Sequence, residues 1–166
     1  RPVILWADTF TNYFKPEHGR AAVAVLEDAG CRVFVPRDHL CCGRPLYDFG
    51  MLDTAKTYLR KILTTLRPAI EAGVPLIGLE PSCTAVFRDE LGELFADNDD
   101  ARRLGEQTFY LSEFLNRHAT GWNPPRVGGT APTRCGGLPS AARSGPQPAA
   151  GGRAGRRGHL RGGRRR

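Results

Sequence analysis

Short apolar runs alternate along this chain with longer stretches whose apolar residues recur every three or four positions. That alternation predicts strands and helices in turn. Val3-Ile4-Leu5-Trp6 reads as a strand buried on both faces. A loop follows, and Pro16-Glu17 supplies two helix-start signals, proline at the first helical position and an acid in the first turn. Ala21, Ala22, Val25, Leu26 and Ala29 keep helical spacing, and Gly30 closes the segment. Arg32-Val33-Phe34-Val35 predicts a second strand, stopped by Pro36, with Trp6 and Phe34 as core residues. Residues 41–50, rich in Gly, Pro and Asp, read as a turn.

The clearest helix spans 51–66, where Leu52, Ala55, Leu59, Ile62, Leu63 and Leu66 share one face. Pro68 is expected to kink or restart it, and Gly73 to end it before the strand Pro75-Leu76-Ile77-Gly78-Leu79. Cys83 then opens a helix with Phe87, Leu91, Leu94 and Phe95 inward. Asp97 to Asp100 form an acidic turn able to cap the next helix. Phe109-Tyr110-Leu111 predicts a fourth short strand, and Ser112-Glu113 a closing helix.

This order predicts an α/β fold, a Rossmann-like parallel sheet with flanking helices and right-handed crossovers. Such sheets gather binding groups beyond the carboxyl ends of their strands. Asp8-Thr9 follows strand one, Cys41-Cys42 strand two, and Glu80-Pro81-Ser82-Cys83 strand three. Three turns therefore share one rim.

Charge divides the chain. The formal net charge is +7, yet residues 1–116 hold 13 Lys and Arg against 17 Asp and Glu, a net of −4. The last fifty residues hold 11 Arg and no acid, a net of +11. The basic character thus belongs to a tail, which argues against a basic nucleic-acid-binding domain. We expect one domain over residues 1–118, a normal length for a single core, and a disordered, low-complexity Arg/Gly-rich tail over 119–166. After Trp122 the chain has no Lys, no acid, no Ile and no aromatic residue. Its Arg, Gly, Ala and Pro are the residues of GC-rich codons, so the preferred reading is out-of-frame sequence. The rival is a disordered segment that binds nucleic-acid phosphates, although it lacks the aromatics that stack on bases. No apolar run is long enough to span a bilayer, and no signal peptide opens the chain. The start at Arg1 suggests a piece of a longer polypeptide. Five cysteines, two of them adjacent, argue for a reducing compartment and against a secreted disulfide framework.

Adjacent cysteines rarely pair with each other, because their Cα atoms sit too close for relaxed disulfide geometry. As thiolates they are soft ligands for iron–sulfur clusters, zinc or copper(I). Cys41-Cys42-Gly43 facing Pro81-Ser82-Cys83 therefore reads first as a metal or cluster site formed by Cys41, Cys42 and Cys83. Three cysteines are one short of a four-coordinate set. Asp8 and Glu80 on the same rim can add oxygen ligands or simply cap helices, and His39 can supply an imidazole. Arg44 either offsets the negative charge of a thiolate-rich cluster or pairs with Asp48. Buried inert thiols and a redox dithiol are the alternatives, the latter weakened by the lack of any Cys-x-x-Cys. Cys31, on the far edge of strand two, reads as a small core residue, and Cys135 has no assignment. His18 and His118 read as surface groups.

Val3 to Leu115 resembles the cysteine-rich CCG domain of iron–sulfur oxidoreductases such as glycolate oxidase, anaerobic glycerol-3-phosphate dehydrogenase and heterodisulfide reductase. The likeness rests on Leu40-Cys41-Cys42-Gly43-Arg44-Pro45-Leu46-Tyr47-Asp48-Phe49-Gly50, on Gly78-Leu79-Glu80-Pro81-Ser82-Cys83 and on Ser112-Glu113-Phe114-Leu115. It is strongest toward proteins that fuse an FAD-linked D-lactate or glycolate oxidase to iron–sulfur domains. Asp8 stands where the family carries a lone cysteine, and Glu80 where it carries the first cysteine of Cys-x-x-Cys. Only one of the family's usual two repeats is present. The resemblance implies an iron–sulfur cluster of 4Fe–4S type on Cys41, Cys42 and Cys83, and electron relay from FAD held in a partner or upstream domain. A small 2-hydroxy acid would be the substrate, with no catalytic residue on this chain. The implied partners are an FAD-linked oxidase, as a separate protein or a fused domain, and a ferredoxin-like iron–sulfur domain, in the cytoplasm or at the inner face of the membrane. Nucleic acid is not an expected partner. The alternative is a non-enzymatic metal-binding or nucleic-acid-binding module.

Overall fold

The computed structural model describes residues 1–125, so all but the first seven residues of the tail expected over 119–166, with Cys135, lie outside the described residues. Residues Arg1–Pro124 form one compact unit. Its sheet has four parallel strands, β1 (Pro2–Leu5), β2 (Arg32–Phe34), β3 (Leu76–Gly78) and β4 (Thr108–Tyr110), in the order β2-β1-β3-β4. Ile4 pairs with Phe34 on one side and Leu76 on the other. The chain leaves β1 outward to β2 and then crosses back to β3. The β1/β3 boundary is therefore the point where strand order reverses, the place such sheets bind ligands.

Strand side chains alternate between faces, and β1 shows what that divides. Val3 and Leu5 pack with Ala22 and Leu26 of α1 (Pro16–Asp28) and Phe114 of α7 (Leu111–His118). Ile4 and Trp6 face the larger cluster, with Leu59, Ile62, Leu63 and Leu66 of α3 (Leu52–Glu71). Phe87, Leu91 and Leu104 complete that face. They come from a run in which α4 (Pro81–Ala85) passes through a π-helical turn, Val86–Glu90, into α5 (Leu91–Leu94), and from α6 (Asp99–Glu106). The fold is the expected one.

Several details differ from the sequence reading. Phe34 is 43 % exposed, because β2 is an edge strand; the Arg32 guanidinium lies 4.7 Å from its ring centroid. Pro68 does not end or restart α3, which runs on to Glu71. The lost hydrogen bond is offset by burial of Leu66 and Ile70 on either side. Part of the loop before Pro16 is a π-helical turn, Phe10–Phe14, and part of the 41–50 turn is a short helix, α2 (Arg44–Asp48). Asn98, inside the expected acidic turn, caps α6 by accepting from Ala101 N–H.

Candidate metal centre

Two of the three rim turns are held the same way. Beyond β1, the buried Asp8 carboxylate accepts from Thr11 N–H at 2.8 Å and from Thr11 Oγ1 at 2.5 Å. Beyond β3, Glu80 Oε2 accepts from Cys83 N–H at 2.8 Å and from Ser82 Oγ at 2.5 Å, capping α4. The helix therefore opens at Pro81, two residues before the cysteine expected to start it. Burial raises the Glu80 pKa, but the hydrogen bonds from Ser82 and Cys83 prevail and hold it below the usual value. Gly78 is needed just upstream. A Cβ there would lie 2.1 Å from Thr84 Oγ1, which donates to Glu80 C=O.

The turn beyond β2 has no carboxylate brace of its own; Lys61 Nζ, from α3, donates to His39 C=O at 3.0 Å. Gly43 adopts φ +76°, a left-handed conformation that a Cβ disfavours, and a Cβ added there would meet Ala55 at ordinary contact distance, 3.6 Å from its α-carbon. That reversal leaves Cys42 buried, while α2 starts at Arg44. Cys42 Sγ lies 3.0 Å from Cys83 Sγ, although 41 residues separate them in sequence.

Cys41, Cys42, Cys83, Asp8, Glu80 and Arg44 all line one cavity of about 220 Å3, with Trp6, Phe10, Pro45 and Ser82 among its other walls. His39 is not in that wall and lines a neighbouring cleft with Arg37 and Asp38. Among the described residues, no group of three or more His, Cys, Asp or Glu side chains closes around a common point. The Cys41 thiol is raised well above its ordinary pKa, first by its hydrogen bond with Cys42 and then by burial. For Cys42 the hydrogen bond with Cys41 lowers the value, but the one with Cys83 and burial outweigh it and push the thiol up to about 12. Cys41 and Cys42 thus stand as neutral thiols, and a cation bound by them would displace their protons.

Arg44 stands at the cavity wall between two carboxylates. Its Nε reaches Asp48 at 3.0 Å and its Nη1 pairs with Glu90 of the π-helical turn. Trp6 is 2 % exposed, and its Nε1–H has no hydrogen-bond partner. The remaining cysteine, Cys31, is half-buried against the α1 face, as expected of a small core residue. His18 is exposed; His118 is exposed as well, but its ring packs edge-on against Phe109 with centroids 5.1 Å apart.

Residues 8–88 match the family model described as "CCG: Cysteine-rich domain". Those residues begin at Asp8 and enclose all three rim turns. They belong to the CCG cysteine-rich domain family. The chain is also similar to proteins named lactate utilization protein A. It is 32 % identical over 117 residues to the one from Bacillus subtilis (strain 168), covering 68 % of this chain and 47 % of that protein. It is 32 % identical over 119 residues to the one from Shouchella clausii (strain KSM-K16), covering 69 % and 48 %. The relative from Geobacillus kaustophilus (strain HTA426) is 29 % identical over 116 residues, covering 68 % and 47 %. The chain spans about half the length of the curated relatives it matches. No solved structure matches it.

Sequence reasoning found six of the eight polar and sulfur side chains that line the CCG-domain cavity and missed several of their neighbours. Thr11 and Ser82, which donate to Asp8 and Glu80, were visible as Asp-x-x-Thr and Glu-x-Ser spacings, patterns that satisfy backbone and hydroxyl donors at helix starts. Glu90 as a partner of Arg44, and Phe10 and Trp6 as cavity walls, depend on tertiary packing and had no local signal.

Proposed function

We propose that this CCG domain is part of an iron–sulfur electron-transfer module serving oxidation of a small 2-hydroxy acid, with lactate favoured by the names of its relatives. The observation that carries the reading is the meeting of Cys42 and Cys83 sulfurs, 3.0 Å apart, in a cavity that Cys41 also lines. The donor set fits a thiolate-held iron–sulfur group and is one ligand short of the usual four cysteines. Cys41, Cys42 and Cys83 would hold the group; when bound, it supplies a site that accepts and releases single electrons. Asp8 and Glu80 hold their turns through hydrogen bonds to their own neighbours, rather than serving as ligands. Arg44 adds a positive charge at the wall, tethered by Asp48 and Glu90.

The missing ligand would come from the rest of a longer protein, since the relatives have about as much chain again. That remainder would also cover the aromatic side chains near the cavity. Phe10, in the cavity wall, is 63 % exposed; Phe14, whose ring lies 5.9 Å from it, is 69 % exposed, and Phe49, just past α2, is 84 % exposed. FAD, the substrate-oxidising chemistry and any ferredoxin-like domain belong to partners or other parts of the parent protein. No helix among the described residues is long and apolar enough to cross a membrane. We place the module in the reducing cytoplasm, where free thiols persist.

The test is anaerobic isolation of the full chain, followed by iron, acid-labile sulfide and absorbance analysis. Iron and sulfide present in the parent and lost in Cys42→Ser and in Cys83→Ser would support the reading. Stoichiometric zinc without sulfide would overturn it.

A further inference from the structure

Trp6 is the one wall of the thiol cavity that carries a buried donor with nothing to donate to. Its backbone is fixed on both sides, N–H to Ile77 C=O at 2.9 Å and C=O from Asp8 N–H at 3.2 Å. Its ring is pinned edge-on to Phe87, with centroids 4.8 Å apart. The side chain is 2 % exposed, so the indole cannot turn out to water. Nε1–H nevertheless has no partner. Leaving such a donor unsatisfied costs about 1–3 kcal/mol, and an orphan of this kind in a native fold calls for an acceptor. The nearby carboxylates accept from Thr11, Ser82 and Cys83, and neither takes the indole proton. The other acceptors a filled cavity would bring are sulfur atoms.

We propose that Trp6 is a positioning residue of the thiol cavity: its indole N–H donates a hydrogen bond to a sulfur of the metal–thiolate group bound there. This rests on the metal-binding reading above and goes beyond it, because it assigns a tuning role to a side chain that is no ligand. Hydrogen bonds to sulfur stabilise the more negatively charged, reduced form of an iron–sulfur group and so raise its potential. The potential of the site is therefore set partly by a residue at the end of β1, not by the cysteine turns alone.

The chain has two tryptophans, and the second is a built-in control, since Trp122 Nε1–H already donates to Asp28 at 2.7 Å. The full chain, labelled with nitrogen-15, is titrated anaerobically with Cd2+ alone. Thiolate-to-cadmium absorption reports binding at sulfur, and the two indole N–H resonances report hydrogen bonding. In parallel, iron-loaded wild type and Trp6→Phe are compared by redox titration, with iron and sulfide measured on the same samples. We expect the Trp6 resonance to move downfield in step with the cadmium–sulfur band while that of Trp122 stays put. We expect a lower potential per loaded cluster in Trp6→Phe. Metal binding with an unmoved Trp6 resonance overturns the inference. So does an unchanged potential in Trp6→Phe. Binding of neither cadmium nor iron overturns instead the reading on which it rests. Should Trp6→Phe fail to fold, the wild-type resonance alone decides.

Discussion

The turns beyond β1 and β3 and the turn beyond β2 solve one problem in opposite ways. Each must end a parallel strand and aim side chains across the same rim. In the first two, a carboxylate at position 8 or 80 gathers a backbone N–H and a hydroxyl from the next few residues, and the turn satisfies itself. In the CCG turn, a left-handed glycine makes the bend and no carboxylate is spent on it. The Cys41 and Cys42 sulfurs meet each other, Cys83 and the backbone N–H groups of Gly43 and Arg44. Both rim carboxylates are therefore engaged in architecture through hydroxyl and N–H donors, a role that no sulfur of the CCG turn takes. The chemistry of the site follows from that division of labour.

The largest effect expected from breaking the comparison is on metal content. Cys42→Ser should remove most bound iron, whereas Asp8→Asn should leave most of it, as read by iron analysis of the anaerobically isolated full chain. If Asp8→Asn loses iron as completely as Cys42→Ser, the carboxylate is a ligand and the contrast between the turns fails. Next in size is Gly78→Ala, whose new methyl would meet Thr84 Oγ1 at 2.1 Å. Overpacking of this kind costs about 1–3 kcal/mol, measurable by urea denaturation, with Gly92→Ala as a control because no atom lies within 4 Å of its added Cβ.

Glu80→Gln should cost about 1 kcal/mol at neutral pH, the scale of a helix cap. The hydrogen bonds that hold the folded-state pKa of Glu80 below the usual value give stability that is complete above the unfolded pKa of about 4.3 and is lost as pH falls through the folded one. The difference between wild type and Glu80→Gln should therefore shrink between denaturation at pH 7 and in acid. A difference that held constant into acid would mean that charge plays no part in the cap. The smallest effect concerns an ion pair outside these turns. Arg88 pairs with Glu113 at 2.8 Å on a half-exposed surface, and Arg88→Gln should change stability by under about 1 kcal/mol, with iron content unaltered.

Much of this contrast was legible before any coordinates. The parallel α/β sheet followed from Val3–Trp6, Arg32–Val35 and Pro75–Leu79 alternating with amphipathic helices, and that alone puts Asp8, Cys41, Cys42, Glu80 and Cys83 on one rim. Sequence left Asp8 and Glu80 open between ligand and cap, because the choice depends on whether Thr11 and Ser82 turn toward them. Phe34 looked like core, since an apolar strand residue carries no sign of its strand's place in the sheet; only the pairing shows β2 at the edge. Pro68 looked like a break because local rules cannot weigh Leu66 and Ile70 packed around it. Trp6 was legible as buried, but not as an orphaned donor, which exists only once every neighbour is in place.

The central claim is that thiols from two distant turns serve one centre. A short bifunctional thiol reagent, applied anaerobically to the full chain before and after iron loading and followed by peptide mass spectrometry, tests it most directly. The account predicts a Cys42–Cys83 link in the iron-free chain and loss of that link when iron is bound. A chain in which the two cysteines are never bridged, or are bridged equally well with iron bound, would contradict it.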